Sequence, residues 1–232
     1  MNEAIDKLLP LERNLFFALN GSDSQFLDNV MWMLSGRLVW IPLFLFILFL
    51  FFYKTNWKEG LLATLFFILV FALCDQLASS FFKPMFERFR PTHHPDFKEV
   101  VDIVNSYRGG RYGFISSHAA NSFGLAVFLS LLFRHRLVTI SVLFWAVLNS
   151  YTRIYLGVHF VSDILAGMIV GSLAGFLLYK IYRLSRVVLL HAPASDNMPL
   201  YRRQHATFLS LFIPAYVLLL FFFSSFLATL PH

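Results

Sequence analysis

Residues 38–53 read LVWIPLFLFILFLFFY, sixteen positions without a charged side chain. Neither a two-residue nor a 3.6-residue alternation of polar and apolar positions runs through the stretch, so no face is reserved for water. A helix surrounded by lipid has this pattern, and it decides the fold class. Sixteen residues rise about 24 Å as a helix, against a hydrocarbon layer about 30 Å thick. The shortfall predicts that Arg37 snorkels and that the helix begins nearer Met31.

Outward from this stretch the same reading gives five further spans: Gly60–Phe82, Ser117–Phe133, Leu137–Tyr155, His159–Tyr182 and Thr207–Leu230. The expected fold is all-α, a polytopic membrane helical bundle of about six transmembrane helices. Composition agrees. Of 232 residues, 58% are hydrophobic and 14% charged, and the mean hydropathy is +0.65, more apolar than a soluble domain of this length can cover. The net charge of +6 belongs with loops that face anionic lipid or the cytoplasm. No nucleic-acid module accompanies it, so no nucleic-acid partner is expected. The single cysteine, Cys74, lies in an apolar run, excludes an intrachain disulfide and reads as a small packing residue. No signal peptide is evident, because the first apolar run lies too far from the start. Before that run, Leu8, Leu11, Leu15 and Leu19 recur at helical spacing among charged residues. They suit a helix lying in the membrane interface or one packed on the protein's own loops. One membrane domain accounts for residues 1–232, with an interfacial segment over 1–30 and a polar loop over 83–116. The oligomeric state is not legible.

Three constellations carry chemistry. Lys83 is followed after six residues by Arg90-Pro91, about two helical turns on if the helix continues. An ammonium and a planar guanidinium together supply a point charge and a bidentate fork for a phosphate; ordinary positive flanking of a helix end is the plainer alternative. Gly113-Phe114-Ile115-Ser116-Ser117-His118 leads into the third span. Ser116 is placed to cap that helix, whose unpaired N–H groups and partial positive charge receive anions, with His118 on the first turn. Thr152-Arg153, five residues, His159, three residues, Asp163 puts Arg153 and His159 on either side of a turn at Gly157. The spacing predicts that His159 and Asp163 share a helix face, the carboxylate holding one imidazole nitrogen protonated while the other is free as base or nucleophile. A buried pair that only joins helices would look the same. Gly167, Gly171 and Gly175 continue the stripe and predict close approach of a neighbouring helix. An ionisable Asp163 inside a span is a functional candidate by default.

Span parity brings all three constellations to one membrane surface. Lys83, Arg90 and Arg153 supply charge there, Ser116 a hydroxyl, and two histidines the proton and electron-pair chemistry needed for attack on phosphorus. A metal site built from His118, His159 and Asp163 is the rival reading, and the surrounding cations oppose it. Metal and cofactor are therefore expected to be absent.

The three segments resemble the signature of the type 2 phosphatidic acid phosphatase family, which includes vanadium haloperoxidases: Lys-x6-Arg-Pro, Pro-Ser-Gly-His and Ser-Arg-x5-His-x3-Asp. The first is complete at Lys83, Arg90 and Pro91; the second reads Ile115-Ser116-Ser117-His118, and the third has Thr152 for Ser. The resemblance implies that His159 attacks phosphorus, Asp163 orients it, and His118 protonates the leaving oxygen and then activates water. It implies that Lys83, Arg90, Arg153, Ser116 and the Ser117 amide bind the phosphoryl oxygens.

The expected partner is thus a phosphorylated membrane lipid in the bilayer. Undecaprenyl diphosphate comes first and lipid A close behind, with phosphatidylglycerophosphate hydrolysis or phosphoryl transfer to a second lipid as alternatives. The polar loop Tyr107–Tyr112 suits a sugar head group. A transporter or an inactive scaffold is the non-enzymatic reading, but no inverted repeat supports the first and the site residues have no purpose in the second. Loops on the side opposite the site hold nine Lys or Arg; the site side holds ten, three of them assigned to phosphate. This leans toward a bacterial inner membrane protein whose site faces the periplasm or outside. Asp75, two turns before Lys83, is expected to pair with a basic site residue or to hold helices together with Gln76.

Overall fold

The computed structural model describes residues 7–193 and 200–227. Residues 1–6 of the interfacial segment, 194–199 of the second basic loop and 228–230 of the expected last span lie outside these. The helices are α1 (Leu9–Leu19), α2 (Gln25–Ser35), α3 (Ile41–Phe52), α4 (Trp57–Phe86), α5 (Ser117–Phe133), α6 (Arg136–Tyr155), α7 (Val161–Leu190) and α8 (Arg203–Phe222). Among the described residues there is no strand, only an isolated antiparallel bridge between Phe89 and Tyr112.

Four helices, α4, α6, α7 and α8, are long and apolar enough to cross a membrane, and a fifth span exists if α2 and α3 act together across a 72° bend. The third expected span, α5, has 17 residues and falls short of that length. Its shortness has a physical setting. α5 packs against α4, α6 and α7 and is buried along most of its length, so protein rather than lipid surrounds it.

The first span does not extend back toward Met31 as one helix. α2 ends at Ser35, Gly36 is extended with ψ 146°, and Arg37 and Leu38 are exposed at the corner. In α1 one face packs on the protein's own loops and the other is open. Leu8, Leu11 and Leu15 are exposed, whereas Leu9, Glu12 and Phe16 are buried, and the Phe16 ring packs on Phe97 and Phe160.

The glycine stripe of α7 seats α5. A Cβ on Gly171 would lie 2.1 Å from the Ala120 carbonyl oxygen, and one on Gly175 2.2 Å from that of Gly124. Only glycine permits this approach. The Ser116 N–H also donates to the Asp163 carbonyl at 3.1 Å. The two helix starts that carry the candidate residues are therefore fixed to each other by backbone.

Candidate active site

Lys83 lies in the last turn of α4, just after a widened π-type stretch, Leu77–Phe82. Pro84 has no N–H for the ladder, and widened turns of this kind recur at functional positions. Lys83 Nζ donates to Ser117 Oγ at 2.6 Å and reaches Ser79 Oγ at 3.5 Å. The helix does not run on to Arg90 as the spacing suggested. It stops at Glu87, which has φ 45°, and Arg90 arrives on an extended segment paired with Arg111 and Gly113. Arg90 N–H donates to the Arg111 carbonyl at 3.1 Å and Gly113 N–H to the Arg88 carbonyl at 2.9 Å. An extended segment turns alternate side chains to one face, so Arg88 and Arg90 both face inward while Phe89 stacks outside with Arg111 and Tyr112.

His159 is not on α7 with Asp163. It precedes the N-cap, Phe160, and Asp163 stands in the first turn. The pair still meets, because Asp163 Oδ2 accepts the Phe160 N–H at 3.0 Å and faces His159 Nδ1 at 3.4 Å. On the other side of the ring, Arg90 Nη1 lies 2.9 Å from His159 Nε2 and donates to the Val158 carbonyl at 2.8 Å. A guanidinium only donates, so Nε2 is the acceptor and the ring proton sits on Nδ1, toward Asp163. Burial, then Arg90, Arg153 and Lys83, hold the His159 imidazole well below its ordinary pKa, which keeps it neutral with a lone pair on Nε2. Burial and Arg153 push the Arg90 guanidinium down to about 10. Gly113 leaves room for this arrangement, since a Cβ there would lie 3.0 Å from Asp163 Oδ2.

Arg153 is buried near the end of α6 and donates to Ser35 Oγ and, at 3.1 Å, to the Tyr107 hydroxyl. Burial alone would raise the Tyr107 phenol, but Arg153 and Arg90 bring it below the ordinary value. Ser116 caps α5 as expected, its Oγ accepting from the Ala119 N–H at 3.4 Å. Thr152 spends its hydroxyl on the Asn149 carbonyl at 2.7 Å. Of the polar loop expected to suit a sugar, Tyr107 lines a cavity of about 440 Å³ with Trp32, Arg37, His118 and Arg153, whereas Tyr112 turns away to Phe89.

Sequence reasoning missed the residues behind Asp163. Arg88, fully buried, donates to Asp163 Oδ1 at 2.7 Å, to Ser162 Oγ at 2.6 Å and to Glu12 Oε1 at 2.7 Å. Glu12 also accepts the Ser162 N–H at 2.7 Å, a carboxylate placed on the N-terminus of α7. The available signal was the two-residue spacing of Arg88 and Arg90. Asp75 makes no direct ion pair or hydrogen bond among the described residues, but its charge acts on Lys83, the basic site residue two turns on. Gln76 is engaged by Ser80, and Asp75 lines a second cavity beneath His118. Among the described residues no group of three or more His, Cys, Asp or Glu is placed to hold a metal ion.

The sequence model of the PAP2 superfamily matches residues 61–186. Lipid A 4'-phosphatase of Porphyromonas gingivalis is 44% identical over 182 residues, 78% of this chain and 77% of that protein. The Bacteroides thetaiotaomicron protein of the same name is 40% identical over 178 residues, 76% of this chain and 79% of that one. Among solved structures, a transmembrane PAP2-type phosphatidylglycerolphosphate phosphatase from Bacillus subtilis superposes with a TM-score of 0.57 at 26% identity, covering 76% of this chain and 86% of that one.

Proposed function

The chain belongs to the PAP2 superfamily, and from that premise we propose that this membrane lipid phosphatase removes the 4'-phosphate of lipid A through a phosphohistidine. The observation that carries the chemistry is the seating of His159, with its proton toward Asp163 and its Nε2 lone pair turned to Arg90. In the proposed first step Nε2 attacks phosphorus, the bond from phosphorus to the lipid oxygen breaks, and His118 gives that oxygen its proton. In the second, His118 takes a proton from water, the water oxygen attacks phosphorus, the P–N bond breaks and phosphate leaves. Lys83, Arg90, Arg153, Ser116 and the Ser117 amide hold the phosphoryl oxygens, and Arg90 exchanges its imidazole contact for the phosphate. Three buried or half-buried cations, without a carboxylate partner among the described residues, do here what a divalent ion does in metallophosphatases, which supports a metal-free reaction.

The two relatives named lipid A 4'-phosphatase support this substrate and move it ahead of undecaprenyl diphosphate. Phosphatidylglycerophosphate is the second reading, favoured by the solved Bacillus structure. The test is phosphate release by the purified protein in detergent with EDTA, from lipid A, undecaprenyl diphosphate and phosphatidylglycerophosphate side by side. Lipid A is expected to turn over fastest, with loss of the 4'-phosphate by mass spectrometry and with inhibition by vanadate. Activity abolished by EDTA and restored by zinc or magnesium would overturn the metal-free reading. A phosphorylated second lipid in the products would make the protein a transferase.

The proposed setting is a bacterial inner membrane with the site facing the periplasm. A cysteine placed at Arg136, on the opposite side, should react with an impermeant maleimide in intact spheroplasts only after permeabilisation. Labelling before permeabilisation reverses the orientation.

A further inference from the structure

Beneath His118 a cavity of about 350 Å³ descends among Phe44, Phe71 and Leu125 into the apolar layer. A passage for hydrocarbon alone needs no polar wall, yet this one has Asp75, Asn121, Asn149 and Trp145. Three of their polar atoms, Asn121 Oδ1, Asn149 Oδ1 and Trp145 Nε1, are buried without a hydrogen-bond partner, and Asp75 has none either among the described residues. Asn149 is 7% exposed and Trp145 3%. Unmatched polar groups in so apolar a place are costly unless something supplies their partners.

We propose that this cavity is a selectivity subsite for a lipid chain bearing a hydrogen-bond donor, an amide N–H or a hydroxyl, close to the phosphorylated head group. The proposal rests on the lipid A reading and narrows it. Asp75 and the two amide oxygens are acceptors, and the Trp145 indole is a donor. A polyprenyl chain offers them nothing, and ester-linked chains offer acceptors only. An amide-linked or hydroxylated acyl chain offers both. Depth fits as well. Asn121 is three residues below His118, about 4.5 Å along α5, and Asn149 four below Arg153, about 6 Å along α6. A group within the first few carbons of the chain reaches that level when the leaving oxygen is at His118. His118 and Arg37 line both this cavity and the one that holds Tyr107, so head group and chain diverge from one point.

The experiment compares a synthetic glucosamine 4-phosphate carrying an N-linked 3-hydroxyacyl chain with the matching glucose 4-phosphate, whose oxygen at the same carbon carries an ester-linked chain without the hydroxyl. The readout is the ratio of their kcat/KM values, which a misfolded fraction of the preparation cannot change. The wild-type ratio should favour the hydroxyamide by more than tenfold. Asn149→Leu and, separately, Asn121→Leu should each lower it by about tenfold, the scale of one buried hydrogen bond. A wild-type ratio near one, or a ratio unmoved by both substitutions, would leave the cavity to water and overturn the subsite. If instead the wild type prefers undecaprenyl diphosphate or phosphatidylglycerophosphate to either sugar lipid, the lipid A reading itself fails.

Discussion

The two sides of the His159 imidazole are built on opposite electrostatic principles. On the Nε2 side, Lys83, Arg90 and Arg153 make no direct ion pair among the described residues; Asp75 and Asp163 act on Lys83 and Arg90 only from further off, and the polar contacts of the three cations are neutral oxygens, an aromatic ring and the His159 nitrogen. On the Nδ1 side, Arg88 is enclosed between Glu12 and Asp163 at 2.7 Å each. Buried charge is costly unless paired. The first side therefore stores an unmet demand for an anion, while the second has met its demand within the chain. Two arginines two residues apart take opposite parts: Arg90 can turn to a phosphate, and Arg88 is occupied in holding the loop, α1 and the start of α7 together.

The comparison predicts that substitutions on the Nε2 side lower turnover more than stability, and the reverse behind Asp163. Asp163 belongs to both sides, so it should show the largest effect. Asp163→Asn keeps the shape but weakens the hold on the Nδ1 proton, and turnover should fall by about 10³- to 10⁴-fold. It also leaves Arg88 with one carboxylate, so the melting temperature in detergent should fall too. Normal turnover with a lowered melting temperature would make the pair purely architectural.

Arg90→Ala comes next, with an expected loss of about 10²- to 10³-fold in kcat/KM. Because it removes a charge that lacks a carboxylate, the melting temperature should hold or rise. A marked loss of stability would show that Arg90 holds the fold in the way Arg88 does, and would break the contrast. His118→Ala sharpens it further. Turnover of a lipid phosphate should fall by about 10²- to 10⁴-fold, and that of an activated aryl phosphate by far less, since that leaving group needs no proton. Equal losses on both would reassign His118 to phosphate binding.

How far this contrast was legible beforehand depended on the kind of contact. Lys83, Arg90, Arg153, His118, His159 and Asp163 could be picked out because they stand at telling spacings within three short segments, which span parity sends to one surface. The glycine stripe at 167, 171 and 175 foretold the seating of α5, because close backbone approach needs a small residue at each turn. The missed features depend on where chain direction changes. The αL residue Glu87 ends α4 before Arg90, and the bend at Gly36 turns α2 away from α3. His159 lies ahead of the α7 N-cap, and hydropathy cannot separate a turn from a helix start within a few residues. Glu12 and Arg88 are 76 residues apart, and no local pattern joins them. The leucines of α1 drew attention to its outer face, while Glu12 on its inner face does the holding.

The smallest expected effect on turnover belongs to Glu12, and it is the most discriminating. Glu12→Gln retains an oxygen for the Ser162 N–H but removes the charge that Arg88 meets at 2.7 Å. Leaving a buried charge wholly unpaired costs about 3–5 kcal/mol, and the cost here is smaller because Arg88 keeps its contact with Asp163. The melting temperature should drop accordingly, and α1 should become open to proteolysis. Asp163 keeps its contacts with Arg88, Phe160 and His159, so turnover per folded molecule should change by less than about tenfold. Adding Arg88→Met to Glu12→Gln should lower the melting temperature further, because the buried Asp163 carboxylate then loses the guanidinium it meets at 2.7 Å. That double variant leaves Asp163 without its guanidinium, and its turnover should fall below that of Glu12→Gln alone. If Glu12→Gln by itself lowers turnover as deeply as Asp163→Asn while the melting temperature holds, the Nδ1 side is part of the chemistry and the division between the two sides of the ring is wrong.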